Sequence, residues 1–154
     1  MKASILAATA LALSLSTAIA QQPHHTMVNA DEVQWKAAPP ALTGAQSSVL
    51  YGDPSKEGIF VMRIKFPANY KVPPHTHPVD EVVTVISGEF SLGAGKEFDE
   101  SKLKPYKAGA LIAMPPGMEH FVFTKEETVI QISTRGPWAL TFVNPKDKSG
   151  NLAN

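Results

Sequence analysis

The segment His75-Thr76-His77-Pro78-Val79-Asp80-Glu81 sets two imidazoles and a carboxylate close together, and a third imidazole, His120, follows much later in the chain. Nitrogen and oxygen donors of this kind are ligands for first-row divalent metals. His75 and His77 are two apart, so on an extended strand both side chains leave the same face. Glu81 follows one short turn later, and His120 has to arrive from a strand folded back beside the first. The four residues are therefore expected to hold one divalent transition metal. Glu81, which can loosen and accept a proton, is also the candidate catalytic base. On a five- or six-coordinate ion, four protein ligands leave one or two positions for water, dioxygen or a chelating substrate. A tetrahedral zinc would be closed by the same four and read as structural.

Such a site needs strands to carry it. Val82 to Ile86 is β-branched almost throughout, the composition of a strand. Residues 60–66 alternate, with Phe60, Met62, Ile64 and Phe66 on one face and Val61, Arg63 and Lys65 on the other, as a half-buried strand does. Further strands are expected at 33–35, 46–51, 81–87, 89–94, 106–107, 110–114, 120–124, 128–135 and 138–143. Turn-forming stretches such as Gly52-Asp53-Pro54-Ser55 separate them,. Residues 95–104 are charged and read as a loop or a single helical turn. Short strands at near-regular spacing with almost no helical periodicity predict an all-β fold, a small antiparallel barrel or sandwich with little helix. Alternation places Val83, Val85 and Val122 inside with Phe90 and Leu92, while Met114 and Met118 belong to the core or line the mouth of the site. It places Phe121 and Phe123 outside, where they need cover from an outer sheet or across a homodimer interface. Gln131 can face inward as a hydrogen-bond partner of the ligands, or the competing register places Ile130 and Ile132 there. Tyr106 and Arg135 are candidates for holding an anionic group.

The first twenty residues have another use. Met1-Lys2 is a short basic start, residues 5–15 are apolar, and Ala18-Ile19-Ala20 is a cleavage signal with Gln21 beyond it, the pattern of a secretory leader. The apolar run is too short to span a bilayer comfortably, so residues 1–20 predict export to the periplasm or beyond. No arginine pair is present, which suggests export of the unfolded chain. In that case the metal is met outside the cytoplasm, where open competition favours copper and zinc over manganese, iron or nickel. Residues 21–32 read as a flexible lead whose His24-His25 pair is more readily solvated than ligating, 33–144 as the domain, and 145–154 as a polar, fraying tail. Setting aside Lys2 with the leader leaves 13 basic against 14 acidic residues. That balance gives no reason to expect nucleic acid or an anionic membrane as partner; a small molecule is the expected one. The absence of cysteine excludes disulfides and thiolate ligation,.

The spacing resembles the two signature motifs of the cupin superfamily. In the first, His75, His77, Glu81 and Gly88 stand at the motif's positions, with Asn69 in place of the opening glycine; asparagine is one of the few other residues that tolerates positive φ. In the second, Gly109, Pro115, Gly117 and His120 match, and Thr124 replaces the closing asparagine. The resemblance, over residues 69–124, implies a jelly-roll barrel, often dimeric, with His75, His77, Glu81 and His120 on one metal. It is nearest to small exported single-domain bacterial cupins of unassigned activity.

That superfamily holds dioxygenases, isomerases, decarboxylases, binding modules and sensors, so membership defines the site better than the reaction. No second carboxylate or lysine is expected inside, which disfavours two-carboxylate glycoside hydrolysis. A Ser-His-Asp scheme is equally unattractive, because the histidines are better used as ligands. Two readings follow. One is a metalloenzyme acting on a small oxygen-bearing molecule, in dioxygenase- or isomerase-type chemistry. The other is a non-catalytic binder of metal or small ligand serving the cell envelope, for example in sensing.

Overall fold

The structure, a computed structural model, describes residues 25–152. The strands are β1 (Lys36–Ala37), β2 (Gln46–Tyr51), β3 (Gly58–Phe66), β4 (Tyr70–Thr76), β5 (Glu81–Ser87), β6 (Glu89–Ala94), β7 (Lys104–Lys107), β8 (Leu111–Met114), β9 (His120–Thr124), β10 (Thr128–Gly136), β11 (Thr141–Phe142) and β12 (Asn151–Leu152). They form two antiparallel sheets, one ordered β1-β2-β3-β10-β5-β8 and the other β11-β4-β9-β6-β7, with β12 also pairing with β4. The helical content described is three short 3-10 turns, one of them Glu100–Lys102 in the charged 95–104 segment. The fold is an all-β jelly roll. The expected leader, its cleavage site and His24 lie outside the described residues; His25 is exposed.

The core forms where the alternation of residues predicted it. Phe60, Met62, Ile64 and Phe66 of β3 are buried beside Ile130 and Ile132 of β10 and Val83 and Val85 of β5 in the same sheet, opposite Phe90, Leu92 and Val122 of the other. Fully burying side chains of this size stabilises the fold by about 1.5–3 kcal/mol each. Because Ile130 and Ile132 take the inner register, Gln131 is excluded from it. Its Oε1 instead accepts from Arg63 Nε at 3.1 Å on the outer face, so its reading as a partner of the metal ligands is overturned. On the outside of the second sheet, Phe121 is completely buried by its own chain. Gly93 leaves the space for its ring, and Phe98 packs on it with centroids 5.0 Å apart.

Three expectations are corrected at the edges. The first strand begins at Lys36, not at 33–35; Val33 is buried and Trp35 sits under the Lys65 ammonium, 4.4 Å from the ring centroid, so both are held by packing before ladder pairing starts. The strand expected over 138–143 shrinks to Thr141–Phe142, because Trp138 and Ala139 spend their backbone groups elsewhere: Trp138 N–H donates to Pro54 O at 2.7 Å, and Ala139 O accepts from His77. Residues 150–152 of the tail that was expected to fray return to the sheet, with Gly150 N–H donating to Ala41 O at 2.9 Å and Asn151–Leu152 pairing with Lys71 and Tyr70.

The hinge before β4 is the position that sequence comparison with the motif left in question. Asn69 adopts φ 57°, the left-handed conformation expected there. Only glycine does this without steric cost. Asn69→Gly should therefore match the wild type or gain up to about 1 kcal/mol, whereas Asn69→Val should lose about 1–3 kcal/mol. Urea melts of the three proteins measure this, and an undiminished valine variant would contradict it.

Candidate metal centre

Strict alternation along β4 would not deliver its histidine. Tyr70 and Val72 face inward, and unbroken period-two pairing from them would turn residue 75 outward. Instead Pro73 and Pro74, which have no N–H to give the ladder, sit at a register shift between Val72 and His75 in the pairing with β9. The irregularity resets the phase, so His75 and His77 both end buried with Thr76 between them half-buried,. His75 is then directly opposite His120 of β9, and Glu81 opens β5 on the facing sheet. The Pro-x-Gly turn of the second motif ties the two halves together, as Gly117 N–H donates to His77 O at 2.9 Å. Thr124, standing where the motif closes with asparagine, is buried and donates its hydroxyl to Pro67 O at 2.9 Å.

His75, His77, Glu81 and His120 thus meet in one place, each no more than 6% exposed. Ligand nitrogens of the three imidazoles lie within 4.8 Å of one another, so they can hold a metal ion. Glu81 Oε2 is 3.2 Å from His77 Nε2 and 3.4 Å from His120 Nε2. Two donors each about 2.1 Å from a common ion are roughly 3.0 Å apart at octahedral angles and 3.4 Å at tetrahedral ones.

Ring orientation is set by the backbone. His75 Nδ1 is 2.7 Å from Pro73 O, His77 Nδ1 is 2.7 Å from Ala139 O, and His120 Nδ1 is 2.9 Å from Met118 O. A carbonyl only accepts, so each Nδ1 carries the hydrogen and each Nε2 of a neutral ring is left as a lone pair. Lone pairs aimed at a buried carboxylate repel it unless a cation or a proton lies between them. His77 Nε2 has no hydrogen-bond partner, and no lysine or arginine borders the space. The donor set therefore fits a divalent cation, which would offset the one buried negative charge.

Burial, strengthened by the neighbouring His120 and His77, lowers the His75 pKa to about 3, so that ring is neutral and able to ligate at any ordinary pH. Burial pushes the Glu81 carboxyl up, but wherever His120 and His77 carry a proton at Nε2 as well as at Nδ1 their donation and positive charge outweigh it and bring the carboxyl down to about 2.

One wall of the site was not legible in the residues as candidates. Trp138 stacks on His77 with centroids 4.8 Å apart and planes 16° apart, Ala139 orients that same ring, and Phe142 meets His75 edge-on at 6.4 Å. No spacing rule announces such a strap; an aromatic after Gly136-Pro137 was the only available sign. Conversely, Tyr106 packs half-buried against the core from β7, and Arg135 is exposed on β10. Neither lines the space around the histidines, nor do Met114 and Met118, which pack in and against the core while the Met118 carbonyl orients His120.

Residues 23–139 match the family described as the ChrR cupin-like domain. A germin-like protein (2-2) of Oryza sativa subsp. japonica is 31% identical over 94 residues, which is 56% of this chain and 42% of that protein, so the chain spans under half of its curated relative. Among solved structures, the polyketide cyclase RemF from Streptomyces resistomycificus is similar at TM-score 0.65 and 17% identity, over 81% of this chain and 89% of that one. The Rhodobacter sphaeroides SigE complex with the anti-sigma ChrR is similar at TM-score 0.52 and 18% identity, over 69% of this chain and 51% of that one. At these identities the structural likenesses establish the fold.

If the four donors share an ion, zinc at 100 times its dissociation constant should stabilise the fold by about 2.7 kcal/mol. His120→Ala should lose most of this increment. Melting each protein with and without zinc reads it directly, and an equal increment in both would refute a shared site.

Proposed function

The chain belongs to the ChrR cupin-like family, and on that premise we propose that it is an exported metalloenzyme acting on a small oxygen-bearing molecule, in dioxygenase- or isomerase-type chemistry. His75, His77, His120 and Glu81 are the proposed ligands of one divalent transition metal, zinc or copper before manganese, iron or nickel. The observation that carries the reading is the convergence of three backbone-oriented imidazoles, two of them beside one buried carboxylate, with His77 Nε2 left unpartnered.

When bound, the metal would supply Lewis acidity toward a substrate oxygen or a water. The residues do the rest. The carbonyls of Pro73, Ala139 and Met118 hold the imidazole tautomers. Trp138 keeps the His77 plane from rotating. Val72, Phe90, Val122 and Ile132 border the site and exclude bulk water, which strengthens every charge interaction inside. Glu81, held as the carboxylate, is the group that accepts and returns a proton at its carboxyl oxygens.

A second reading has its own support. The space directly around the histidines measures about 20 Å³, room for a single water, as a closed tetrahedral site would have. On that reading the chain is a non-catalytic metal or ligand binder of the envelope. Glu81→Gln separates the two: the enzyme should lose turnover by at least about 100-fold while retaining most of its metal, whereas a binder should change only in metal affinity. Retained turnover in the variant would remove Glu81 from catalysis.

Export and assembly complete the proposal. No helix among the described residues is long and apolar enough to cross a membrane, and export rests on residues 1–20. A homodimer is proposed through the outer face of the first sheet, where Ile86 of β5 and Leu111 of β8 are 40% and 66% exposed. Protein exported by its own leader should begin at Gln21, carry zinc or copper, and sediment as a dimer at micromolar concentration. Mass spectrometry, elemental analysis and ultracentrifugation of the same preparation test all three, and a manganese- or iron-loaded monomer would refute the metal and the dimer together.

A further inference from the structure

The space of about 20 Å³ around the histidines is sealed almost entirely by the core. Of the fourteen residues that border it, twelve are buried, all three histidines and Glu81 among them. The two that reach the surface are Trp138 and Leu140, both half-buried and both on the strap between β10 and β11. The same two side chains form part of the wall of a second chamber, of about 270 Å³, which no charged side chain borders. That chamber meets solvent at its rim, where Pro39, Val49, Ser55 and Ala139 are exposed. Trp138 and Leu140 therefore stand between the histidines and the outside, and a route past the other twelve would have to part a close-packed core.

The ends of the strap are fixed. Gly136 pairs with Gly58, where a Cβ would collide with the Lys56 carbonyl, and Thr141 pairs with Thr76. Between them, the Trp138 side chain is subject to opposing contributions of similar size. Its ring stacks on His77 with centroids 4.8 Å apart, while its indole Nε1 is buried without a partner. Stacking favours the closed position, and the orphaned donor favours turning out toward water. A side chain balanced in this way populates both positions.

We propose that Trp138 and Leu140 form a gate, and that metal and small ligands reach the histidines from the chamber when these two side chains swing aside. The inference takes the metal centre from the proposed function, but the gate itself needs no metal.

Diethylpyrocarbonate acylates a free imidazole nitrogen, so it reads passage through the gate in the metal-stripped full chain, with the exposed His25 as internal reference. Mass spectrometry gives the labelling rates of His75, His77 and His120. Leu140→Ala removes one leaf and should quicken labelling at least about tenfold relative to His25, because the open position is the minor one. Trp138→Phe keeps a stacking ring and removes the orphaned donor, so the closed position gains and labelling should slow about tenfold. Val85→Ala, a core truncation away from this space, controls for lost stability. With zinc, Leu140→Ala should speed uptake and release alike and leave the dissociation constant within about twofold, since a gate changes a barrier and not an equilibrium. The proposal is overturned if Leu140→Ala labels no faster than wild type, if Val85→Ala quickens labelling as much, or if Trp138→Phe labels no slower. Absent zinc binding with this order of labelling rates intact would refute the metal centre alone.

Discussion

A carboxylate and three imidazoles are held in contact inside an apolar barrel, and their unsatisfied charge is the constraint around which the rest is arranged. A buried anion without a partner is expensive, and Glu81 has neither lysine nor arginine beside it. Its neighbours are the Nε2 atoms of His77 and His120, and these rings and that of His75 are turned by backbone carbonyls at Ala139, Met118 and Pro73. Those carbonyls come from a strand, a strap and a turn, three separate parts of the chain. The site is consequently a property of the whole barrel, and displacing any of the three would rotate one ring out of the cluster.

The same arrangement explains why the segment after β10 gives up regular pairing. Residues 136–140 connect β10 to the short β11 and pass over the histidines. A strand there would have committed the Ala139 carbonyl to a ladder and the Trp138 side chain to one sheet face. The strap instead supplies an oriented acceptor, a stacked ring and a wall shared by two spaces. Its anchorage is Trp138 N–H on Pro54 O, a contact between residues distant in the chain. Departures from regular structure thus fall where the site is built, as they do at functional positions generally.

Family membership and geometry play different parts in the functional reading. The jelly roll defines where the histidines stand, while solved structures with such a fold carry names as different as a cyclase and an anti-sigma factor. The local features of this chain are the tight space at the histidines and the uncharged chamber beside it.

Taken alone, the order of residues determined the all-β class, the inward face of β3, the left-handed turn at Asn69 and the clustering of His75, His77 and His120, with Glu81 beside two of them. These depend on short-range periodicity and fixed spacing, which survive without knowledge of neighbours. Tertiary structure decided the rest. Whether Gln131 or its isoleucine neighbours faced the core depended on which face of β10 met the opposite sheet. The irregularity at Pro73 and Pro74 that turns His75 inward depended on pairing with β9. The strap carrying Trp138, Ala139 and Phe142 reached the histidines because long-range packing brought it there. Contacts between residues far apart in sequence leave no local period to read, and those contacts orient the rings on which the proposed chemistry rests.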